Sequence, residues 1–168
     1  MKRYTVAVLV RNQYGVLNRV TRMFRRRQFN ISALTVSETE TSKYSRITVI
    51  FEGEECVKQQ IINQLYKLPD VCSIKELDDK QSVSCELLLI KMKNDASSRD
   101  DVKTAAEAFD AKILDYSKDS VMYQLSGNTQ KIDDFINLMR DYTILEICRT
   151  GTASLEKGSS ILRQNLNL

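Results

Sequence analysis

The order of apolar and polar residues along the chain switches between two periods, and it does so twice. Tyr4–Val10 is apolar at nearly every position and rich in β-branched residues, which predicts a central strand buried on both faces. After the polar turn Arg11–Gly15 the period lengthens. Val16, Leu17, Val20, Met23 and Phe24 recur at helical spacing, with Asn18, Arg19, Arg22, Arg25 and Arg26 elsewhere on the wheel. The helix should stop near Gln28, and Phe29-Asn30 leads into Ile31–Val36, which pairs with Tyr44–Phe51 as a hairpin around the polar turn Glu38–Lys43. A second helix over Glu54–Leu68, with Val57, Ile61, Leu65 and Leu68 as its apolar stripe, ends at Pro69-Asp70. Val71–Leu77 is the closing strand.

The charged, turn-prone stretch Asp78–Ser82 separates this half from the next. Cys85–Met92 reads as a strand, Asp95–Asp100 as a loop, and Val102, Ala105, Ala106 and Phe109 mark a helix. Lys112–Tyr116 and Val121–Leu125 form a hairpin. A helix opens at Thr129, with Ile132, Phe135, Ile136 and Met139 on one face, and Thr143–Cys148 is the last strand. The halves are not visibly similar in sequence, yet each has the order βαββαβ. The predicted class is therefore α+β, with two ferredoxin-like domains over residues 1–78 and 83–168, each an antiparallel four-stranded sheet with two helices on one face. The polar tail from Gly151 is expected to be mobile or bound to a partner.

Composition narrows the chemistry. The 168 residues include no histidine, no tryptophan, one proline and five glycines, and the 42% apolar and 28% charged fractions argue against disorder. Two domains of roughly 80 residues lie close to the lower limit for a self-sufficient core. Without histidine there is no Ser-His-Asp triad, no His-paired cysteine nucleophile and no HExxH zinc site. The net charge of +3 is uneven, with +5 on residues 1–78 and −2 on residues 79–168. Cys56, Cys72, Cys85 and Cys148 form no CxxC pair, and read as buried or half-buried free thiols in a reducing compartment. No signal-peptide pattern is visible, and no apolar run approaches the ~18 residues of a membrane span, so the expected location is the cytoplasm.

Asn12-Gln13-Tyr14-Gly15-Val16-Leu17 is the most informative local feature. A glycine before a helix lets backbone approach a ligand, and the first-turn N–H groups suit a carboxylate or phosphate. The same pattern also serves as an ordinary turn in which Gly15 supplies only backbone freedom. Asn30, at the start of the second strand, is open to a similar pair of readings. The Arg25-Arg26-Arg27 run reads as a solvated or protein-docking face rather than a nucleic-acid footprint. The acidic pairs Asp78-Asp79, Asp100-Asp101 and Asp133-Asp134 lie in a linker and near helix starts, where they complement the dipole rather than form a catalytic pair. An RNA-recognition module shares the order βαββαβ, but Tyr44–Phe51 lacks that module's glycine-containing signature, so no nucleic-acid partner is expected.

Across nearly its whole length the chain resembles a known family, the small regulatory subunits of acetohydroxyacid synthase (acetolactate synthase), whose N-terminal half is an ACT domain. The resemblance rests on Asn12, Gly15–Val20, Phe29-Asn30-Ile31, Leu34-Thr35-Val36, Ser45–Thr48 and Gln64–Leu68. It continues in Glu86–Lys91, Arg99–Lys103, Gln124–Gly127 and Arg149-Thr150-Gly151. The resemblance implies a chain that catalyses nothing and carries no cofactor. It implies a separate catalytic subunit holding thiamine diphosphate, FAD and Mg²⁺, which this chain activates and makes sensitive to a branched-chain amino acid, usually valine. It further implies a homodimer through the ACT domains. The effector lies between them, with Asn12 and Gly15 from one chain, Asn30 and Ile31 from the other, and the neighbouring Val16 and Leu17 completing the candidate set. The alternative is a free-standing ACT-type amino-acid sensor or transcriptional regulator. Two residues depart from the pattern. Gln28 stands where the family usually has glycine, which predicts a different helix cap, and Tyr14 is bulkier than usual, which predicts a narrowed or altered pocket.

Overall fold

The structure, a computed structural model, describes residues 2–163. The described chain divides into two compact units, one running to Val83 and joined by the segment from Ala153, the other Ser84–Thr152.

The first unit contains β1 (Lys2–Arg11), α1 (Val16–Arg26), β2 (Ala33–Glu38), β3 (Tyr44–Gly53), α2 (Glu55–Leu65) and β4 (Val71–Leu77). Its sheet is antiparallel in the order β2-β3-β1-β4, so β1 is central, as its unbroken apolar run requires, and β2 is an edge. Alternate residues of the strands, Tyr4, Val6, Val8, Val10, Ile47, Val49 and Phe51, meet Val16, Val20, Phe24, Ile61 and Leu65 of the helices in one core. Helix α2 stops three residues short of the predicted end. Lys67 and Leu68 donate instead to the carbonyls of Gln64 and Leu65 (3.2 and 3.0 Å), a tightened last turn before Pro69.

The second unit repeats the plan with β5 (Ser82–Lys93), α3 (Arg99–Ala108), β6 (Lys112–Tyr116), β7 (Ser120–Gly127), α4 (Thr129–Met139) and β8 (Ile144–Arg149), in the order β6-β7-β5-β8. Leu88, Ile90, Met92, Tyr123 and Leu125 pack on Val102, Ala106, Ile132, Phe135 and Met139. Asn128 caps α4 by accepting from the Lys131 N–H at 2.8 Å.

Three expectations are corrected. The predicted domain 83–168 with a mobile or partner-bound tail gives way to a unit that ends at Thr152, because residues 153–163 pack with the first unit. There Ala153–Glu156 forms a further strand, β9, Arg46 donates to the Ser154 carbonyl (2.7 Å), and Lys75 pairs with Glu156 and Ser160. The end of the predicted tail, residues 164–168, lies outside the described residues. The cysteines are free, but Cys56, Cys85 and Cys148 are exposed and only Cys72 is half-buried. Cys148, for instance, sits on the edge strand β8.

The third correction concerns Gln28, which adopts the left-handed conformation a glycine would take there (φ 57°). Its N–H bonds the Arg25 carbonyl and the Phe29 N–H bonds the Phe24 carbonyl, a Schellman cap built without glycine. Asp110 (φ 58°) closes α3 the same way, through Asp110 to Glu107 and Ala111 to Ala106.

Candidate functional site

The loop between β1 and α1 is shaped by Gly15, whose φ of 78° is open to glycine and strained for other residues. Val16 N–H closes the turn on the Gln13 carbonyl (3.3 Å), and Arg19 N–H makes the first helical bond to the Gly15 carbonyl (3.0 Å). The N–H groups of Leu17 and Asn18 find no backbone carbonyl among the described residues. Helix α1 has no side-chain cap and no acidic residue in its first turn, whereas its last turn carries Arg25 and Arg26. The positive end of the helix dipole is therefore bare, with donors available to an anion.

Asn12 stands beside this helix end. Its backbone N–H bonds the Lys43 carbonyl (2.8 Å), and its side-chain nitrogen bonds Glu38 Oε1 (2.9 Å) and the Ser42 carbonyl (3.0 Å). These bonds orient the amide and leave its oxygen without a hydrogen-bond partner among the described residues, an acceptor suited to an ammonium group. Leu17 is exposed next to it, while Val16 is buried in the first core, so its contribution to a site is backbone. Tyr14 is fully exposed and narrows nothing within one chain. Arg19 is drawn off by Asp70 (Nε to Oδ2, 2.7 Å). Glu38, Ser42 and the Arg19–Asp70 pair were not legible as site residues, because their partners lie 26 to 51 positions away. The β2–β3 register is the one signal that brings Glu38 to Asn12.

Asn30 and Ile31 are not brought to this loop. Ala33 pairs with Ile50 and Glu38 with Ser45, while Arg11 pairs with Tyr44. Asn12 and Glu38 thus share one end of the sheet, and Asn30 lies beyond the other end of β2, about 25 Å away along the strand. Asn30 is exposed and Ile31 packs against the first core.

The second unit holds a buried polar cluster at the start of α4. Glu86, 3% exposed, accepts from Arg149 Nε (2.5 Å), Thr152 (2.7 Å) and Thr129, and Arg149 also reaches Asp133 (2.7 Å). Burial pushes the Glu86 carboxyl up, but these bonds outweigh it and hold it below the usual carboxylate range. In the first unit, the Lys58 ammonium donates to the carboxylates of Glu55 (2.5 Å) and Glu76 (2.7 Å), which hold its pKa above the usual range. Both clusters are internally paired, which marks them as structural.

Two family models match the chain: that for the ACT domain of acetohydroxyacid synthase small subunits over residues 6–73, and that for the small subunit of acetolactate synthase over residues 85–158. Acetolactate synthase small subunits from Mycobacterium bovis and Bacillus subtilis are 41% and 40% identical, over 94% and 95% of this chain and 94% and 92% of theirs. The chain belongs to the acetolactate synthase small-subunit family. The crystal structure of the small subunit from Thermotoga maritima, 33% identical, superposes with a TM-score of 0.88 over 95% of this chain and all of that one. The first unit is thus an ACT domain, and the family places this small subunit in branched-chain amino-acid biosynthesis as a regulatory chain beside a catalytic one.

Proposed function

We propose that this chain raises the activity of the acetolactate synthase catalytic subunit and makes it subject to feedback inhibition by a branched-chain amino acid, valine, bound where two ACT domains meet. The observation that carries the proposal is the placement of the two half-sites. Asn12 and the bare start of α1 stand at one end of β2, Asn30 and Ile31 stand at the other, and β2 is an edge strand with an unpaired side. Antiparallel pairing of β2 with its copy across a two-fold axis satisfies that side. The same pairing carries the partner's second half-site to the first half-site, twice. The effector carboxylate is then held by the N–H groups around Gly15 to Asn18, its ammonium by the Asn12 oxygen, and its side chain by Leu17 and the partner's Ile31. Binding shifts the catalytic subunit only by favouring one arrangement of the chains over another. Thiamine diphosphate, FAD and Mg²⁺ belong to the catalytic subunit, and the complex works in the cytoplasm.

Replacing Gly15 with aspartate adds a side chain at a positive φ and a negative charge at the bare helix end. Calorimetry on Gly15→Asp should show loss of valine binding. In reconstitution with the catalytic subunit the variant should still activate but no longer confer inhibition by valine. Valine affinity equal to that of the unmodified chain would sink the assignment. Failure of the unmodified chain to bind any thiamine-dependent synthase would instead favour a free-standing sensor.

A further inference from the structure

We infer that the second unit holds a binding pocket of its own, complete within one chain, for a small monocarboxylate with an apolar body. The pocket has a volume of about 270 Å³ and lies between the β5–α3 loop, the first turn of α3 and the β6–β7 hairpin. That volume corresponds to roughly nine water molecules at about 30 Å³ each, which suits a ligand of about eight non-hydrogen atoms. Its walls are the apolar Met92, Val102, Ile113 and Val121 and the rings of Tyr116 and Tyr123. Lys93, Arg99 and Lys103 line it against a single acid, Asp100.

Two observations point to a ligand rather than to a packing gap. Arg99 is held in place, with its Nε donating to Asn94 Oδ1 (2.7 Å) while Asn94 is fixed by Ser117 (2.7 Å), yet no carboxylate pairs with its guanidinium among the described residues. Lys93 and Lys103, by contrast, are each paired, with Asp95 and Glu107 (both 3.8 Å). Arg99 is exposed and its other donors meet water, so a carboxylate that displaces this water finds a guanidinium already held in place by Asn94. Independently, Tyr123 is 3% exposed and lines the pocket, and its hydroxyl has no hydrogen-bond partner among the described residues. The ring of Tyr123 is buried while its hydroxyl opens on the pocket, where a ligand oxygen or nitrogen beside the carboxylate would bond it. Asp100 on the rim and the apolar walls disfavour a multiply charged ligand. The pocket occupies the same point in the βαββαβ plan as the Asn12–Leu17 loop of the first unit, between first strand and first helix, but needs no second chain to close it.

Both α-amino acids and 2-oxo acids with short branched chains carry this chemistry. Asp100 would accept from an ammonium; Lys93 or Lys103 would favour an oxo group. The full chain carrying Gly15→Asp, which silences the first-unit loop, is titrated by calorimetry with L-valine, with 3-methyl-2-oxobutanoate and with L-valinamide. At least one acid should bind saturably at one site per chain, and the neutral-headed amide should not. Adding Arg99→Met should weaken that binding roughly 10- to 100-fold, the loss of a charge-assisted contact, with Arg99→Lys restoring part of it and the thermal midpoint unchanged. Adding Tyr123→Phe, which keeps the ring and removes only the hydroxyl, should weaken it by a smaller factor. Absence of saturable binding by either acid, or affinity unchanged by both Arg99→Met and Tyr123→Phe, overturns the inference. If the unmodified chain and Gly15→Asp bind valine alike while Arg99→Met binds none, this pocket stands and the first-unit site falls.

Discussion

Gln28 and Asp110 hold the same backbone conformation at the same step of two different sequences, each as the left-handed residue of a Schellman cap. A side chain there costs roughly 1 kcal/mol, more for Gln than for Asp, whose short polar chain tolerates the region. The geometry is imposed from outside the cap: Phe29, which follows Gln28, packs against the first core and fixes where the chain must turn. Gln28→Gly is therefore expected to raise stability by about 0.5–1 kcal/mol. Urea unfolding should show a higher midpoint at unchanged slope, and a lower midpoint would mean that the Gln28 side chain makes a contribution of its own. At Glu86 the relevant quantity is protonation. Its folded pKa lies below the unfolded value of about 4.3, so its contribution is full above that value and is lost as pH falls through the folded pKa. Glu86→Gln should cost about 2–3 kcal/mol at neutral pH, since it strips the charge that Arg149 pairs with. The same variant should flatten the acid limb of the stability profile below pH ~4, measured by denaturant unfolding across pH. A limb as steep as before would place the acid sensitivity in other carboxylates.

Most elements were legible because their apolar residues keep a clean period. β4 and β6 span the predicted residues, and β1, β3, β5 and β7 extend beyond them by one to three residues at an end. Strand β9 was not legible. Its inward residue is Ser154, buried and tied through its carbonyl to Arg46, so the alternation that exists in burial is absent in polarity. The candidate site divides in the same way. The strand–glycine–helix turn could be read from local spacing, whereas the clamp on Asn12 depends on a register between β2 and β3 that no local pattern states. The edge strand itself offers a direct test. Val36, exposed in the middle of β2, would face its own copy or a near neighbour across the proposed two-fold axis. Val36→Asp should set like charges against each other and shift the chain toward monomer in sedimentation equilibrium, with weaker valine binding in step. A dimer of undiminished affinity would exclude β2 as the interface.

At the scale of the whole molecule, the first-half excess of positive charge and the second-half excess of negative charge follow the two units, with the arginines of α1 supplying much of the former. The boundary between units was legible at Asp78–Ser82 and missed at Thr152, where the polar sequence beyond Gly151 suggested a loose end. The return of residues 153–163 to the first unit makes the second unit an insertion, bounded by two chain crossings instead of one. During synthesis the chain emerges from its N-terminus and domains fold as units. The core of the second unit, Leu88 to Ile144, is therefore made before the first unit, which was begun earlier, receives residues 153–163, whose strand β9 also pairs with β5. A nascent chain stalled before Ala153 would carry that core beside a first unit still lacking β9 and the partners it offers to Arg46 and Lys75. Any contact that needs the complete first unit would then wait until residues 153–163 have left the ribosome.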